Sequence, residues 1–146
     1  MTDDIECIGA VMLLRADGAV LLQHRDDKPG LRAANQWVPP GGHCHSGELA
    51  IECARREFWE ETTYRCRELR LLTSFISDND EGWGPQRLHV FWDLYDEKQQ
   101  IHCLEGQAIK FITRERAEQI DVPRYILSIW DELARILPVC TQLQRG

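Results

Sequence analysis

The sequence predicts an α/β fold in one domain: a mixed sheet with helices packed on its faces. Three observations carry this. Short apolar runs rich in Val, Ile and Leu recur between turn residues, as strands do. Residues 49–64 contain no Gly or Pro and are rich in Ala, Glu and Arg, which favours helix. Residues 123–137 open on a Pro and place Tyr125, Ile126, Ile129, Trp130, Leu133 and Leu137 at helical spacing. Hairpins interleaved with helices point to layers around one sheet.

The elements follow in order. Residues 7–14 form an apolar run, Asp17-Gly18 supplies turn chemistry, and residues 20–22 resume the run, so a β-hairpin is expected. Residues 26–35 are polar around Pro29-Gly30 and read as a loop. Trp37-Val38 is a short strand, stopped by Pro39-Pro40-Gly41-Gly42, a tight turn where backbone can approach a ligand. The helix over 49–64 comes next, with no Ser or Thr at its start to name as the cap. Strands are expected over 69–77 and 88–95, separated by a polar loop that carries Trp83. Residues 108–112 form a further strand, and 123–137 the second helix, its apolar stripe assigned to the core. No repeat, low-complexity tract or linker divides the chain, so residues 1–146 read as one domain.

Composition excludes several classes. The chain is 43% apolar and 28% charged, which rules out disorder. Its 17 Lys+Arg against 24 Asp+Glu leave a net charge of −7, wrong for non-specific binding of nucleic acid. No apolar run approaches the roughly 18–20 residues of a membrane helix, so no membrane partner is expected. The start, Met1-Thr2-Asp3-Asp4, has no apolar core of a secretory signal. The expected location is cytoplasmic. Cys7, Cys44, Cys53, Cys66, Cys103 and Cys140 form no C-x-x-C pair and are expected as reduced thiols. His43-Cys44-His45 lacks the spacing of a zinc site.

The first helix carries acids in an awkward place. At about 100° per residue, Ile51, Ala54 and Phe58 share one stripe. Glu61 falls at its edge, with Glu57 and Glu60 on the shoulder. These three stand at i, i+3 and i+4, so their carboxylates converge and repel. They also lie in the C-terminal half of the helix, where the macrodipole disfavours negative charge. A hard divalent cation, Mg²⁺ or Mn²⁺, would resolve the conflict with oxygen ligands. A solvated acidic face partly paired by Arg55, Arg56 and Arg65 would also account for it. Spacing alone leaves both open.

The string Gly42-x5-Glu48-x7-Arg56-Glu57-Phe58-x-Glu60-Glu61-x-Thr63-Tyr64 resembles the signature box of the Nudix hydrolases over residues 42–64. Thr63 stands where that box usually has Gly, which puts the helix exit in question. The resemblance implies an α/β/α sandwich and hydrolysis of a nucleoside diphosphate linked to another group, by attack of water on phosphorus. It implies a Mg²⁺ or Mn²⁺ cofactor and a small-molecule nucleotide substrate. By position, Glu57, Glu60 and Glu61 become metal carboxylates and Gly41 a backbone-carbonyl ligand. Gly42 and Glu48 support the box. Arg56 holds an acid in place, with Glu48 either that acid or a more distant ligand.

Glu105-Gly106-Gln107 resembles a loop of the bacterial antimutator Nudix pyrophosphohydrolases that brings a further glutamate to the metal or the water. A solvated turn acid is the plain alternative for Glu105. Either Glu57 or Glu105 takes the water proton. Arg25 matches a substrate-contacting arginine of those enzymes, and Trp83 is the candidate for stacking a base. The region 121–125 lacks the Asn with which those enzymes read an oxidised purine. His24 and His89 read as structural. Cys44, between two histidines, is the rival nucleophile. The alternative function is a Nudix-like nucleotide-binding module without turnover.

Overall fold

The computed structural model describes residues 5–77 and 85–145, with side chains to residue 136. Seven strands and three helices follow along the chain: β1 (Glu6–Leu14), β2 (Val20–His24), β3 (Trp37–Val38), β4 (Gly41–His43), α1 (Ala50–Thr62), β5 (Arg70–Ser77), β6 (Gln86–Leu94), β7 (Ala108–Ile112), α2 (Arg114–Ala117) and α3 (Arg124–Arg145). All seven strands join one sheet in the order β3-β2-β1-β6-β5, with β4 added to β1 and β7 to β2. The β1–β6 pairing is parallel, with Glu6 opposite Gln86 through Leu14 opposite Leu94. The other pairings are antiparallel, so the sheet is mixed.

The period-2 alternation of strands splits the core into two layers. Met12, Leu14, Val20, Leu22, Val90 and Trp92 pack on one face against Ile126, Ile129, Trp130 and Leu133 of α3. Val11, Leu13, Leu21 and Phe91 pack on the other face against Ala54 and Phe58 of α1. This is the predicted sandwich of helices around a mixed sheet. Among the described residues no helix is long and apolar enough to cross a membrane.

Several expectations are corrected. Gly41-Gly42 is not a tight turn but the start of β4, paired with β1 through Ala10–Gly41 and Gly9–Gly42. The missing side chains still matter. A Cβ on Gly41 would strike the Gly9 carbonyl, and one on Gly42 would strike the Glu57 carboxylate. The second helix does not end at 137 but continues past Pro138 to Arg145; a Pro disfavours helix without forbidding it. The short α2, capped by the Thr113 side chain on the Arg116 N–H, has too few residues for a periodic signal. Tyr125 belongs to the cavity wall rather than the core, and is 42% exposed.

The largest correction concerns cysteine. Cys44 and Cys53 form a disulfide, their Cα atoms 5.1 Å apart. Helix α1 brings Cys53 opposite the exit of β4, a proximity invisible in linear spacing. Cys7, Cys66 and Cys103 are free.

Candidate active site

Leu49 precedes helix α1 as its N-cap, and its N–H donates to the Glu52 carboxylate at 3.1 Å, so the cap is built from the first turn. The helix exits through Thr63, its C-cap, in the left-handed region with φ 60°. A Gly would sit there without steric cost. Here Thr63 is held by its hydroxyl, 2.6 Å from His102 Nδ1, and by its N–H to the Trp59 carbonyl at 2.7 Å. Tyr64 is fully buried, edge-on to Phe58. The departure from the usual box is therefore absorbed at the helix exit.

Arg56 organises the acids. It pairs with Glu48 through two nitrogens, at 2.8 and 3.0 Å. Its Nη1 reaches Glu57 at 3.0 Å and Glu60 at 3.1 Å, and its Nη2 donates to the His43 carbonyl at 3.0 Å. Glu48 is thus the partner of Arg56, and accepts the His45 N–H as well. The Arg56 side chain first, then that N–H, pull the Glu48 carboxyl down to about 2. The other two arginines serve elsewhere: Arg55 donates to the Cys66 carbonyl at 3.4 Å, and Arg65 lies over Trp59.

Glu61 behaves differently. It is only 4% exposed, and its Oε2 is buried without a hydrogen-bond partner. Burial first, then a hydrogen bond and charge from Glu105 and charge from Glu57, push its carboxyl up to about 10. A buried acid facing two others invites a proton or a cation.

Glu105 reaches this point by a well-tied loop. The Gln107 N–H donates to the His24 carbonyl at 2.7 Å, and Gln23 Nε2 to the Glu105 carbonyl at 3.2 Å. Gly106 has φ +84°, and a Cβ there would lie 2.7 Å from the His24 carbonyl oxygen. Gln23 is buried and polar in mid-strand, an anchor that strand periodicity could not single out.

Gly41, Gly42, Glu57, Glu61 and Glu105 line one cavity of about 660 Å³. Ile8, Ala10, Leu88 and Val90 of the sheet and Tyr125 of α3 line it too, as does Arg25, whose buried Nε has no hydrogen-bond partner among the described residues. The cavity wall thus combines carboxylates, apolar sheet residues and a guanidinium. Glu60 is not among the lining residues; its side chain is 48% exposed and turned onto Arg56. Trp83 lies outside the described residues. His24 stacks on Trp37 at 4.5 Å, and His89 is 3.0 Å from the Ser74 hydroxyl; neither lines the cavity. Cys44 has its sulfur bonded to Cys53 and is no free nucleophile.

Among the described residues no three His, Cys, Asp or Glu side chains are set as a ready cation cage. The donor set still fits a hard cation. It is all oxygen, and the orphaned Glu61 Oε2 is the kind of buried atom a cation satisfies.

The family profile described as the NUDIX domain matches residues 6–129. The chain belongs to the Nudix family. A curated relative, the m7GpppN-mRNA hydrolase NUDT17 of Xenopus laevis, is 37% identical over 62 residues, covering 42% of this chain and 21% of that protein. Its Bos taurus counterpart is 42% identical over 53 residues, covering 36% and 17%. The chain thus spans about a fifth of the length of these relatives. Among solved structures, the MutT protein of Methanosarcina mazei Go1 superposes with a TM-score of 0.75 at 18% identity, over 92% of this chain and 96% of that one. The NUDIX domain of Shewanella oneidensis NrtR, complexed with ADP ribose, gives 0.77 at 16% identity, over 93% and 90%. These Nudix structures share the fold.

Proposed function

We propose that this chain, as one Nudix domain over residues 1–146, is a metal-dependent pyrophosphohydrolase. It cleaves the diphosphate bridge of a nucleoside diphosphate linked to another group, by attack of water. The observation that carries this reading is Glu61, buried with an unpartnered oxygen against Glu105 and Glu57 in the wall of a nucleotide-sized cavity. A structural domain would gain nothing from such an arrangement, since like charges at close range cost stability.

Glu57, Glu61, Glu105 and the Gly41 carbonyl would hold Mg²⁺ or Mn²⁺, with Glu60 joining them from its ion pair with Arg56. When bound, the cation supplies positive charge for the diphosphate oxygens. The protein's own residues do the rest. Arg56 fixes the rotamer of Glu57 by pinning Glu48, Glu60 and the His43 carbonyl around it. Glu57 or Glu105 accepts the proton of the attacking water. Arg25 offers its free Nε to a phosphate, and Tyr125 offers a ring to the nucleoside. The apolar sheet residues Ile8, Leu88 and Val90 exclude water along the cavity.

The named relatives act on a capped mRNA or bind ADP ribose, so dinucleotide-like diphosphates head the substrate panel. Phosphate or nucleotide release from that panel with Mg²⁺ tests the reading. In ¹⁸O-water, one label must enter a single product phosphate. Binding of nucleotides without turnover would assign a recognition module instead. A trapped phospho-enzyme would replace direct water attack by covalent catalysis.

A further inference from the structure

Three cysteines, Cys7, Cys44 and Cys53, gather beside the acidic site in a way that the proposed hydrolysis does not use. Cys44 follows β4, the strand that carries Gly41 and Gly42 to the cavity. Its sulfur is bonded to Cys53, which is fully buried on α1 two turns from Glu61. On its other side the free thiol of Cys7 lies only 3.2 Å from the Cys44 sulfur. That contact comes from the register. Ile8 stands opposite His43 in the β1–β4 ladder, so the next step places Cys7 opposite Cys44, and the Cys44 N–H donates to the Cys7 carbonyl at 2.9 Å. Directly opposed strand residues have Cβ atoms about 4.5–5.5 Å apart, and modest side-chain and backbone adjustment closes that to disulfide distance.

We propose that Cys7, Cys44 and Cys53 form a thiol–disulfide relay, in which Cys44 exchanges its partner between α1 and β1. The Cys7 thiolate attacks the Cys44 sulfur, a Cys7–Cys44 bond forms, and the Cys44–Cys53 bond breaks. Cys53 leaves as a thiolate and takes up a proton equivalent to the one Cys7 lost. The exchange is redox-neutral. A low-molecular-weight thiol is needed only to reduce the trio completely, and its disulfide to reoxidise it.

The two bonds do different things. Cys44–Cys53 fastens the segment after β4 to the helix that carries Glu57 and Glu61. Cys7–Cys44 fastens it to the sheet and frees the helix. Cys53 would then stand as a buried thiol, its sulfur 3.6 Å from the Gly42 carbonyl. The trio is thus a covalent modification site that sets how α1 is tied to β4.

The test is disulfide mapping by mass spectrometry on the full chain, with free thiols alkylated under acid quench. Wild-type protein oxidised by glutathione disulfide should give the 44–53 linkage with Cys7 alkylated. Incubation at mildly alkaline pH without added thiol should add a 7–44 fraction with Cys53 alkylated. Cys53→Ser and Cys53→Ala should each form the 7–44 linkage under the same oxidant, Cys7→Ser only 44–53, and Cys44→Ser neither. Two variants at position 53 guard against a folding defect in that buried site. A Cys53 variant that is folded by circular dichroism, yet keeps Cys7 and Cys44 as separate thiols or glutathione adducts, would overturn the relay. So would a wild-type protein in which Cys7 is never found joined to Cys44.

Discussion

The Leu104 N–H donates to the carbonyl of Glu61 at 3.0 Å. Two residues before Leu104, the His102 N–H donates to the carbonyl of Thr62, the next residue of the helix, at 2.9 Å. The last carbonyls of α1, which no helical N–H can reach, are therefore capped by the segment that leads to Glu105. The same bonds that finish the helix deliver the distant glutamate to Glu61. Two acids 44 positions apart in sequence become neighbours through these backbone bonds and the Gln23 side chain that holds the Glu105 carbonyl.

Gly106→Ala should break this delivery. At φ +84°, with the His24 carbonyl 2.7 Å from the new Cβ, the loop must shift or strain. Such strain costs about 1–3 kcal/mol. Turnover and Mg²⁺ affinity should fall together as Glu105 moves, while the rest of the fold stays intact. Denaturant melts read the first effect, and kinetics with calorimetry read the second. Unchanged affinity would mean that Glu105 is only a turn acid.

Thr63→Gly should stabilise the protein. A branched residue in the left-handed region pays about 1–2 kcal/mol. The lost hydroxyl contact to His102 is exposed and worth about 0.5–1 kcal/mol, and water can replace part of it. Backbone relief should win by a few tenths to about 1 kcal/mol, seen as a higher Tm. A lower Tm would show that His102 contributes more than the backbone costs.

The parts of this site that obey local rules were legible in the sequence. Glu57 and Glu61 could be placed from helical spacing, and Glu61 fell at the edge of the buried stripe that Ala54 and Phe58 occupy. Strand β7 and the two residues of β3 followed from their apolar runs. What stayed hidden depends on long-range register. Gly41-Gly42 looks like a turn until β1 supplies a partner strand. The Cys44–Cys53 bond, the Cys7 contact and the buried anchor Gln23 all require knowing which strands lie side by side. Glu60 shows the limit of spacing itself, since a carboxylate on the right shoulder can still turn to an arginine.

Glu48→Gln should remove a pH-dependent share of stability. The folded carboxyl is held at about 2 by Arg56 and the His45 N–H, below its ordinary 4.5. A lowered folded value stabilises the fold above pH 4.5, and that contribution drains away as pH falls from 4.5 towards 2. Wild type should therefore melt above the Gln variant at neutral pH, and the gap should close near pH 2. A gap constant with pH would assign Glu48 a packing role only. Because Glu48 pins Arg56, and Arg56 pins Glu57, the variant should also lose turnover at neutral pH.

Glu61→Gln separates chemistry from folding most sharply. The wild-type carboxyl is buried against Glu105 and Glu57, so an uncharged amide should leave the metal-free protein as stable or more stable. Catalysis should drop on the order of 10², the scale of one strong transition-state interaction. Glu60→Gln should also cost turnover, but its stability change should stay within about 0.5 kcal/mol, since its partner contact to Arg56 is exposed. Metal supplies the decisive comparison. At a Mg²⁺ or Mn²⁺ concentration 100 times the dissociation constant, wild type should gain about 2.7 kcal/mol. Glu61→Gln should gain far less at the same concentration. Equal metal stabilisation in both proteins, with turnover preserved, would place the cation elsewhere and leave Glu61 an ordinary protonated acid of the core.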